Sequence, residues 1–188
     1  MSNRDKLLEC ALELFAARGF DAVGVQEVAD AAGLKKPTLY HYFGSKSGLL
    51  RTLLTENFEK LFDGVEKAAD YQGDVTTTLR RVANVYFEYA RQNPQLYRLQ
   101  LSMWYAPEDS EAFKQAASRN QRQQDILENI FLRASMDHGN MKGRQRTYAA
   151  TFLGLINTYA SLGLNGYAEL NQALVNNAVH QFMHGIFS

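Results

Sequence analysis

The sequence predicts an all-α protein of about nine helices, and three observations support this prediction. Apolar residues recur every three or four positions along most of the chain, which is the period of an amphipathic helix. No run of alternating β-branched residues lies between turn residues, so strands are not indicated. Of the 188 residues, 46% are hydrophobic and 21% are charged, which is typical of a folded globular protein and unlike a disordered chain.

Local signals place the first four helices. Ser2 and Asp5 have capping-box spacing, and Gly19 is suited to the residue after a helix end. Pro37 is favoured in a first helical turn because its missing N–H has no helical partner there. Ser45 is expected to cap the fourth helix. These signals predict helices at about 3–18, 25–31, from around Pro37 to 43, and 46–70.

Five further helices are predicted beyond Gly73. Asn93 before Pro94 forms a cap followed by the favoured first position, and Pro107 ends the helix that begins there. The polar run 119–125 is expected to face solvent. The predicted helices are one with an apolar face from Leu79 to Ala90, one at 94–105, a long one that ends near Gly139, and two at about 144–164 and 170–186.

Residues 25–43 have the spacing of a helix-turn-helix, the unit that places its second helix in the major groove of DNA. Ala29 is small where the helices must cross, and Gly33 lies in the turn. Val28 and Leu39, with Leu34, supply the apolar contacts that hold the crossing. The residues of the later helix that are expected to face outward can donate hydrogen bonds to DNA: Lys35, Lys36, Thr38, His41 and Tyr42.

The local charge of one segment supports DNA binding, whereas the net charge of the chain does not. Lysine and arginine total 20, and aspartate and glutamate total 20, so no global excess indicates a nucleic-acid or membrane partner. From Lys35 to Arg51, however, there are four basic residues and no acidic one. The same apolar spacing also occurs in helical hairpins that touch no DNA, and the aromatic residues near position 42 are equally suited to a core.

Four segments resemble, in this order, the N-terminal domain of the tetracycline-repressor (TetR) family: GF at 19–20, EVADAAGL at 27–34, PTLYHYF at 37–43 and SKSGLL at 45–50. The resemblance implies an all-helical homodimer with an N-terminal three-helix DNA-binding domain at 1–46. It implies a helical ligand-binding and dimerisation domain at 47–188, whose last two helices form the dimer interface. The implied partners are double-stranded operator DNA and a small-molecule effector.

The resemblance also implies DNA contacts by position. It implies that Lys36, Pro37 and His41 face bases and that the backbone near Val25 approaches the DNA. It further implies phosphate contacts by Thr38, Tyr40, Tyr42 and Lys46. The chain departs from the family pattern at Val23 and Gly24, where a Ser or Thr is common, and at Lys35, which replaces a frequent serine with a cation. The expected DNA-binding residues are Val25, Lys35, Lys36, Pro37, Thr38, Tyr40, His41, Tyr42 and Lys46.

The predicted fifth to eighth helices are rich in tyrosine. Each buried tyrosine hydroxyl needs a polar partner, so the cluster favours a cavity with a few polar groups around an apolar or aromatic ligand. Ordinary core packing is the alternative for each single residue. The candidate ligand-binding residues are Tyr86, Tyr89, Met103, Trp104, Tyr105, Phe131, Tyr148, Phe152 and Asn157.

The last two predicted helices carry features of a dimer interface. Small residues recur at three or four positions on the first of them, which permits close helix approach, and the second has a matching face that begins at Leu170. A contact within one chain is the alternative. The candidate interface residues are Ala150, Gly154, Thr158, Ser161, Leu174, Ala178 and Phe182.

Other functions find little support in the sequence. There is no GxSxG elbow, phosphate-binding loop or HExxH helix, so no enzyme activity and no cofactor are expected. His180 and His184 lie four residues apart but lack further metal ligands, so no metal site is expected. A single cysteine and the lack of a secretory signal indicate a cytoplasmic protein. The uncharged stretch 147–168 is too polar for a membrane span and is expected to be a buried helix.

Together these features predict a ligand-responsive transcriptional regulator. The expected form is a repressor that a small apolar or aromatic molecule releases from a palindromic operator. One alternative is a small-molecule binding module without specific DNA binding. A second is an all-helical enzyme that uses the tyrosine-rich cavity, although no acid–base pair supports it.

Overall fold

The computed structural model describes residues 1–185, and within them it confirms the predicted all-α architecture. The described residues form nine α-helices, one short 3-10 helix at Gly139–Met141 and no strand. The α-helices are α1 (Asn3–Arg18), α2 (Val25–Ala31), α3 (Lys36–Phe43), α4 (Lys46–Ala68), α5 (Val75–Gln92), α6 (Pro94–Trp104), α7 (Glu111–Asp137), α8 (Gln145–Leu164) and α9 (Gln172–His184).

The chain divides into two compact units. The first consists of residues 1–59 and 95–118, and the second consists of residues 60–94 and those from 119 onward. The first unit includes the predicted DNA-binding domain at 1–46 together with two further segments. The border after residue 46 and the second domain at 47–188 remain predictions.

The capping signals act as the sequence predicts. The Asp5 backbone N–H donates to Ser2 Oγ, and the Ser2 N–H donates to the Asp5 carboxylate, each over 3.1 Å. Gly19 follows α1 with a φ of +82°, which is a conformation that favours glycine. The Gly48 N–H donates to Ser45 Oγ over 2.9 Å at the start of α4. These helix ends are set by neighbours in sequence.

Two helix boundaries differ from the predictions by two residues. Helix α4 ends at Ala68 and not at residue 70. Helix α9 begins at Gln172, because the Leu174 N–H donates to Asn171 Oδ1 over 3.0 Å, so residue 170 precedes the helix. The predicted end of this helix at 186 lies outside the described residues. The side-chain nitrogen of Asn93 donates to the Tyr89 carbonyl at the end of α5, and the cap that Asn93 is expected to form on α6 stays a prediction.

In the first unit, α1, α2 and α3 pack around a small apolar core. Leu7, Phe15, Val28 and Leu39 are fully buried. The Phe15 ring meets the Phe20 ring edge to face, with centroids 5.1 Å apart. This core supports α3 from its buried side, on which Leu39 lies.

In the second unit, α5 packs against α8 and α9, and α8 packs against α9. The aromatic rings of Phe131 and Phe152 are buried, and Phe182 contacts both with centroid distances of 6.0 and 5.1 Å. The polar run 119–125 is not fully solvated as predicted, because Gln123 is only 1% exposed. One face of α8 is buried and the other is exposed.

A search of the described helices finds none with the length and apolar character needed to cross a membrane.

Candidate functional site

The turn between α2 and α3 has the geometry that a helix-turn-helix requires. Gly33 has a φ of +67°, and the Leu34 N–H donates to the Ala29 carbonyl over 2.9 Å. Ala29 is fully buried, as expected for a small residue where two helices cross closely. Leu34 is half-buried beside the buried Val28. The turn therefore fixes the direction in which α3 projects.

The outward face of α3 carries most of the predicted DNA-binding side chains. Tyr40 and Tyr42 are 42% and 43% exposed, which is unusual for residues of this size. Lys36 Nζ lies 5.7 Å from the centroid of the Tyr40 ring, and the His41 and Tyr42 rings have centroids 5.3 Å apart. Lys35, Lys36, Pro37 and His41 are also exposed, whereas Thr38 is half-buried.

Lys46 lies at the start of α4 and is held by the first unit. Its Nζ lies 4.1 Å from the centroid of the Phe20 ring and donates to the Asp21 carbonyl over 3.4 Å. Partial burial lowers the pKa of Lys46, while the charges of Asp21 and Glu27 oppose this change. The ammonium is therefore fixed in position and only partly solvated.

An acidic side chain occupies the start of α2. The Glu27 carboxylate accepts from the Gly24 backbone N–H over 2.7 Å and pairs with Arg18 over 2.9 Å. The Gly24 N–H, and then Arg18, hold the pKa of Glu27 below its ordinary value. The Gly24 N–H thus already donates to a carboxylate whose charge Arg18 compensates, and Val25 itself is half-buried. The position of a glutamate at the third helical residue was the available sign of this contact.

The second unit brings several of the predicted ligand-binding residues into its interior. Tyr86, Phe131, Phe152 and Asn157 are buried. Tyr89 is half-buried, and this burial raises the pKa of its phenol. A cavity of about 520 Å³ includes Phe131 and Tyr148 in its lining. Its other lining residues are Met141, Thr147, Thr151, Leu155, Gln181, Phe182, Met183 and Gly185.

The three predicted ligand-binding residues at the end of α6 belong to the first unit. Met103 is buried and Trp104 is half-buried. Tyr105 is 75% exposed, because it lies beyond the last residue of α6 in the turn that leads to Pro107. Tyr105 therefore lies outside the buried interior, and its role in ligand binding stays a prediction.

The predicted dimer residues differ in how far they are exposed. On α8, Ala150, Gly154 and Thr158 are exposed and Ser161 is half-buried. On α9, Leu174 and Phe182 are half-buried. Ala178 is fully buried in its own protomer, because the face of α9 that carries it packs inside the second unit. Its side chain has no surface left for a partner, so its assignment to the interface is wrong.

Gln123 on α7 is a buried polar residue that the sequence reasoning missed. It is 1% exposed and lies beside Tyr86, which is fully buried. Within the described residues, neither the Tyr86 hydroxyl nor the Gln123 amide has a partner in hydrogen-bond geometry. The available signal was spacing, since Gln123 lies one turn before the buried Leu127 on the same face of α7.

A helix-turn-helix with a cationic second helix, within an all-helical chain, defines a DNA-binding transcriptional regulator. Residues 7–53 match the family model of bacterial regulatory proteins of the tetR family. The HTH-type transcriptional activator FasR of Mycolicibacterium smegmatis is 29% identical over 182 residues, which cover 97% of this chain and 81% of FasR.

Solved structures share the fold over the whole chain. The TetR family regulator PfmR of Thermus thermophilus is 26% identical with a TM-score of 0.75, covering 100% of this chain and 99% of PfmR. FadR of Bacillus subtilis, determined in complex with stearoyl-CoA, is 20% identical with a TM-score of 0.78, covering 97% and 98%. Residues 7–53 are thus similar to bacterial regulatory proteins of the tetR family, and the whole chain is similar in sequence and fold to a TetR family regulator. The resemblance seen in the sequence is thereby confirmed.

Proposed function

We propose that this regulator binds a palindromic operator as a homodimer and acts as a repressor that a small apolar or aromatic effector releases. The observation that carries the DNA-binding part is the exposed face of α3, in a segment with no acidic residue from Lys35 to Arg51. Bases and phosphates are both acceptors of hydrogen bonds from such a face.

In the proposed complex, the side chains on and near α3 contact either bases or phosphates. Lys36 and His41, with Pro37 between them, face bases in the major groove. Thr38, Tyr40, Tyr42 and Lys46 hold phosphates, and Lys35 adds a cation at the start of the helix. The fixed position of Lys46 supports its role, since an ammonium already held in place loses less freedom on binding. The contact of the backbone near Val25 stays a prediction, and the Gly24 N–H there already donates to Glu27.

The proposed dimer uses the exposed face of α8. Ala150, Gly154 and Thr158 are small and exposed, and they follow one another along the helix, so a second copy can approach closely. Ser161 continues this face, and the half-buried Leu174 and Phe182 on α9 complete it. A two-fold dimer of this kind presents two α3 helices to half-sites that lie about 34 Å apart.

The proposed effector occupies the interior of the second unit, among Tyr86, Tyr89, Phe131, Tyr148, Phe152 and Asn157. Met103 and Trp104 lie in the first unit, and their role in ligand binding stays a separate prediction from the sequence. The FadR relative was determined with stearoyl-CoA, and we extend this ligand class, a long-chain acyl thioester, to the present chain. Weakening the operator complex about 100-fold requires about 2.7 kcal/mol of difference in effector affinity between the two conformations.

Selection from random duplex DNA with the purified full-length protein, at two salt concentrations, tests the proposal. We expect a palindrome with half-sites at fixed spacing, and release of the recovered DNA by stearoyl-CoA. Transcription from a promoter that carries this palindrome then falls when the protein is added, whereas a rise identifies an activator. Weak and sequence-blind binding at both salt concentrations contradicts the operator proposal and supports a small-molecule binding module without specific DNA binding.

A further inference from the structure

The interior of the second unit contains a polar pair that its own protein neighbours do not satisfy. Tyr86 on α5 is 0% exposed and Gln123 on α7 is 1% exposed. The Tyr86 hydroxyl and both polar atoms of the Gln123 amide lack a hydrogen-bond partner among the described residues. Three polar atoms are thus buried together, whereas most buried polar atoms in proteins are paired.

The two side chains face the same small region. The Gln123 amide is near enough to the Tyr86 hydroxyl to oppose the increase that burial causes in the pKa of this phenol, yet it lies outside hydrogen-bond geometry. A hydroxyl and an amide are therefore buried close to each other, on helices where the nearby Phe87 and Leu127 are also buried. Both groups are hydrogen-bond donors, and burial without a partner destabilises this closed arrangement.

We infer that Tyr86 and Gln123 together bind a carbonyl oxygen of the effector. The inference rests on the proposed effector function and names the chemical group that this part of the site recognises. A carbonyl oxygen has two lone pairs, so it accepts from the phenol O–H and from the amide N–H at once. An alkyl chain has no hydrogen-bond acceptor, so it leaves both donors unpaired.

The inference also assigns a conformational role to the pair. Because both side chains are fully buried, a ligand carbonyl reaches them only when α5 and the second-unit part of α7 separate locally. The ligand then supplies hydrogen bonds that exist only in the separated conformation. A ligand shifts a conformational equilibrium by its difference in affinity for the two states, and this pair provides such a difference.

Two sources of the carbonyl oxygen are compatible with the pair, a neutral thioester and an ionised acid. Arg119 lies one turn before Gln123 on α7 and carries the nearest cation on the same face of that helix. The positive charge of Arg119 strengthens the binding of a carboxylate, whereas it does not strengthen the binding of a neutral thioester. Stearate and stearoyl-CoA therefore distinguish the sources when each is tested with wild type and with Arg119→Gln.

Calorimetric titration of the full-length protein tests the inference. The probes are stearoyl-CoA and S-octadecyl-CoA, a thioether of the same chain that lacks the carbonyl. We expect wild type to bind stearoyl-CoA at least about tenfold more tightly, because a site built around hydrogen bonds rejects an analogue that cannot make them. Tyr86→Phe and Gln123→Met each remove most of this preference and leave the affinity for the thioether unchanged.

Melting of the ligand-free protein provides an independent measurement. Tyr86→Phe and Gln123→Met are expected to melt at or above the wild-type temperature, since each removes an unpaired buried group. Tyr71→Phe is the matched control, because its hydroxyl donates to Asp137 over 2.9 Å and its loss lowers the melting temperature by about 2–4 °C.

The possible outcomes separate the inference from the proposed function. Equal binding of both probes by wild type overturns the inference and leaves the acyl-chain effector in place. Melting of Tyr86→Phe several degrees below wild type also overturns it, because the hydroxyl then already has a partner such as an ordered water. Binding of neither probe overturns the proposed effector class, and with it the recognition of its carbonyl.

Discussion

Lys46→Ala is expected to weaken operator binding and to reduce its dependence on salt. Lys35 and Lys46 are the lysines not assigned to bases, so a dimer presents four lysines to the DNA backbone. Each neutralised phosphate contributes about −0.9 to the slope of log K against log salt, which gives about −3.6 for four contacts. Lys46→Ala removes one contact from each protomer, so the slope becomes about −1.8. The loss is similar for all DNA sequences, because a phosphate contact carries no sequence information.

Fluorescence anisotropy with the selected operator, from 50 to 200 mM KCl, measures this slope. Lys46→Arg retains the charge and is expected to retain the slope. Lys60→Ala is the matched control, since it removes an exposed lysine of the same helix outside the first unit. An unchanged slope in Lys46→Ala refutes the reasoning. So does equal flattening in Lys46→Ala and Lys46→Arg, because the contact with Asp21 is then the function of this side chain.

Three further predictions concern acid stability, assembly and helix capping. The backbone N–H at the start of α2, and then Arg18, lower the pKa of Glu27 in the folded state. Glu27 therefore stabilises the fold at pH values above its unfolded pKa. This stabilisation is lost as the pH falls through the folded pKa. In urea unfolding, the difference between wild type and Glu27→Gln is therefore present at pH 7 and disappears in acid; a constant difference contradicts this. An arginine at position 154 enters open space in the protomer, so Gly154→Arg is expected to leave the fold intact. Light scattering is expected to show that this variant no longer forms the dimer. Gly139→Arg, which also enters open space, is the control and leaves the oligomeric state unchanged. Asn171→Ala removes the cap of α9 and is expected to cost about 1 kcal/mol, seen as a lower thermal melting temperature; unchanged melting shows that the cap is dispensable.

Helix ends and the helix-turn-helix were predictable because neighbouring residues determine them. Ser2, Gly19 and Ser45 act within a few positions of their partners, so their effect is visible in sequence. The turn at Gly33 is equally local, since its hydrogen bond joins residues five apart. The resemblance to a known family then assigned a function to this geometry.

The interior of the second unit was less predictable, because burial there depends on helices that are distant in sequence. Spacing placed Ala178 and Phe182 on one face of α9, but only packing against α5 and α8 decides that Ala178 is enclosed. Gln123 was assigned to solvent from its polar neighbours, although α7 turns it inward beside Tyr86. Tyr105 follows aromatic residues in sequence, yet the end of α6 leaves it in solvent.

The position of the cationic face on a chain of zero net charge affects how the protein searches for its operator. A neutral molecule gains little attraction to a polyanion beyond the screening distance, which is about 8 Å at physiological ionic strength. Inside that distance, the DNA field acts on Lys35, Lys36 and Lys46, which belong to a segment without acidic residues. The field then turns the protein into the binding orientation at close range. Capture from bulk solution is therefore not accelerated by net charge, and attraction to DNA depends on the local lysines alone.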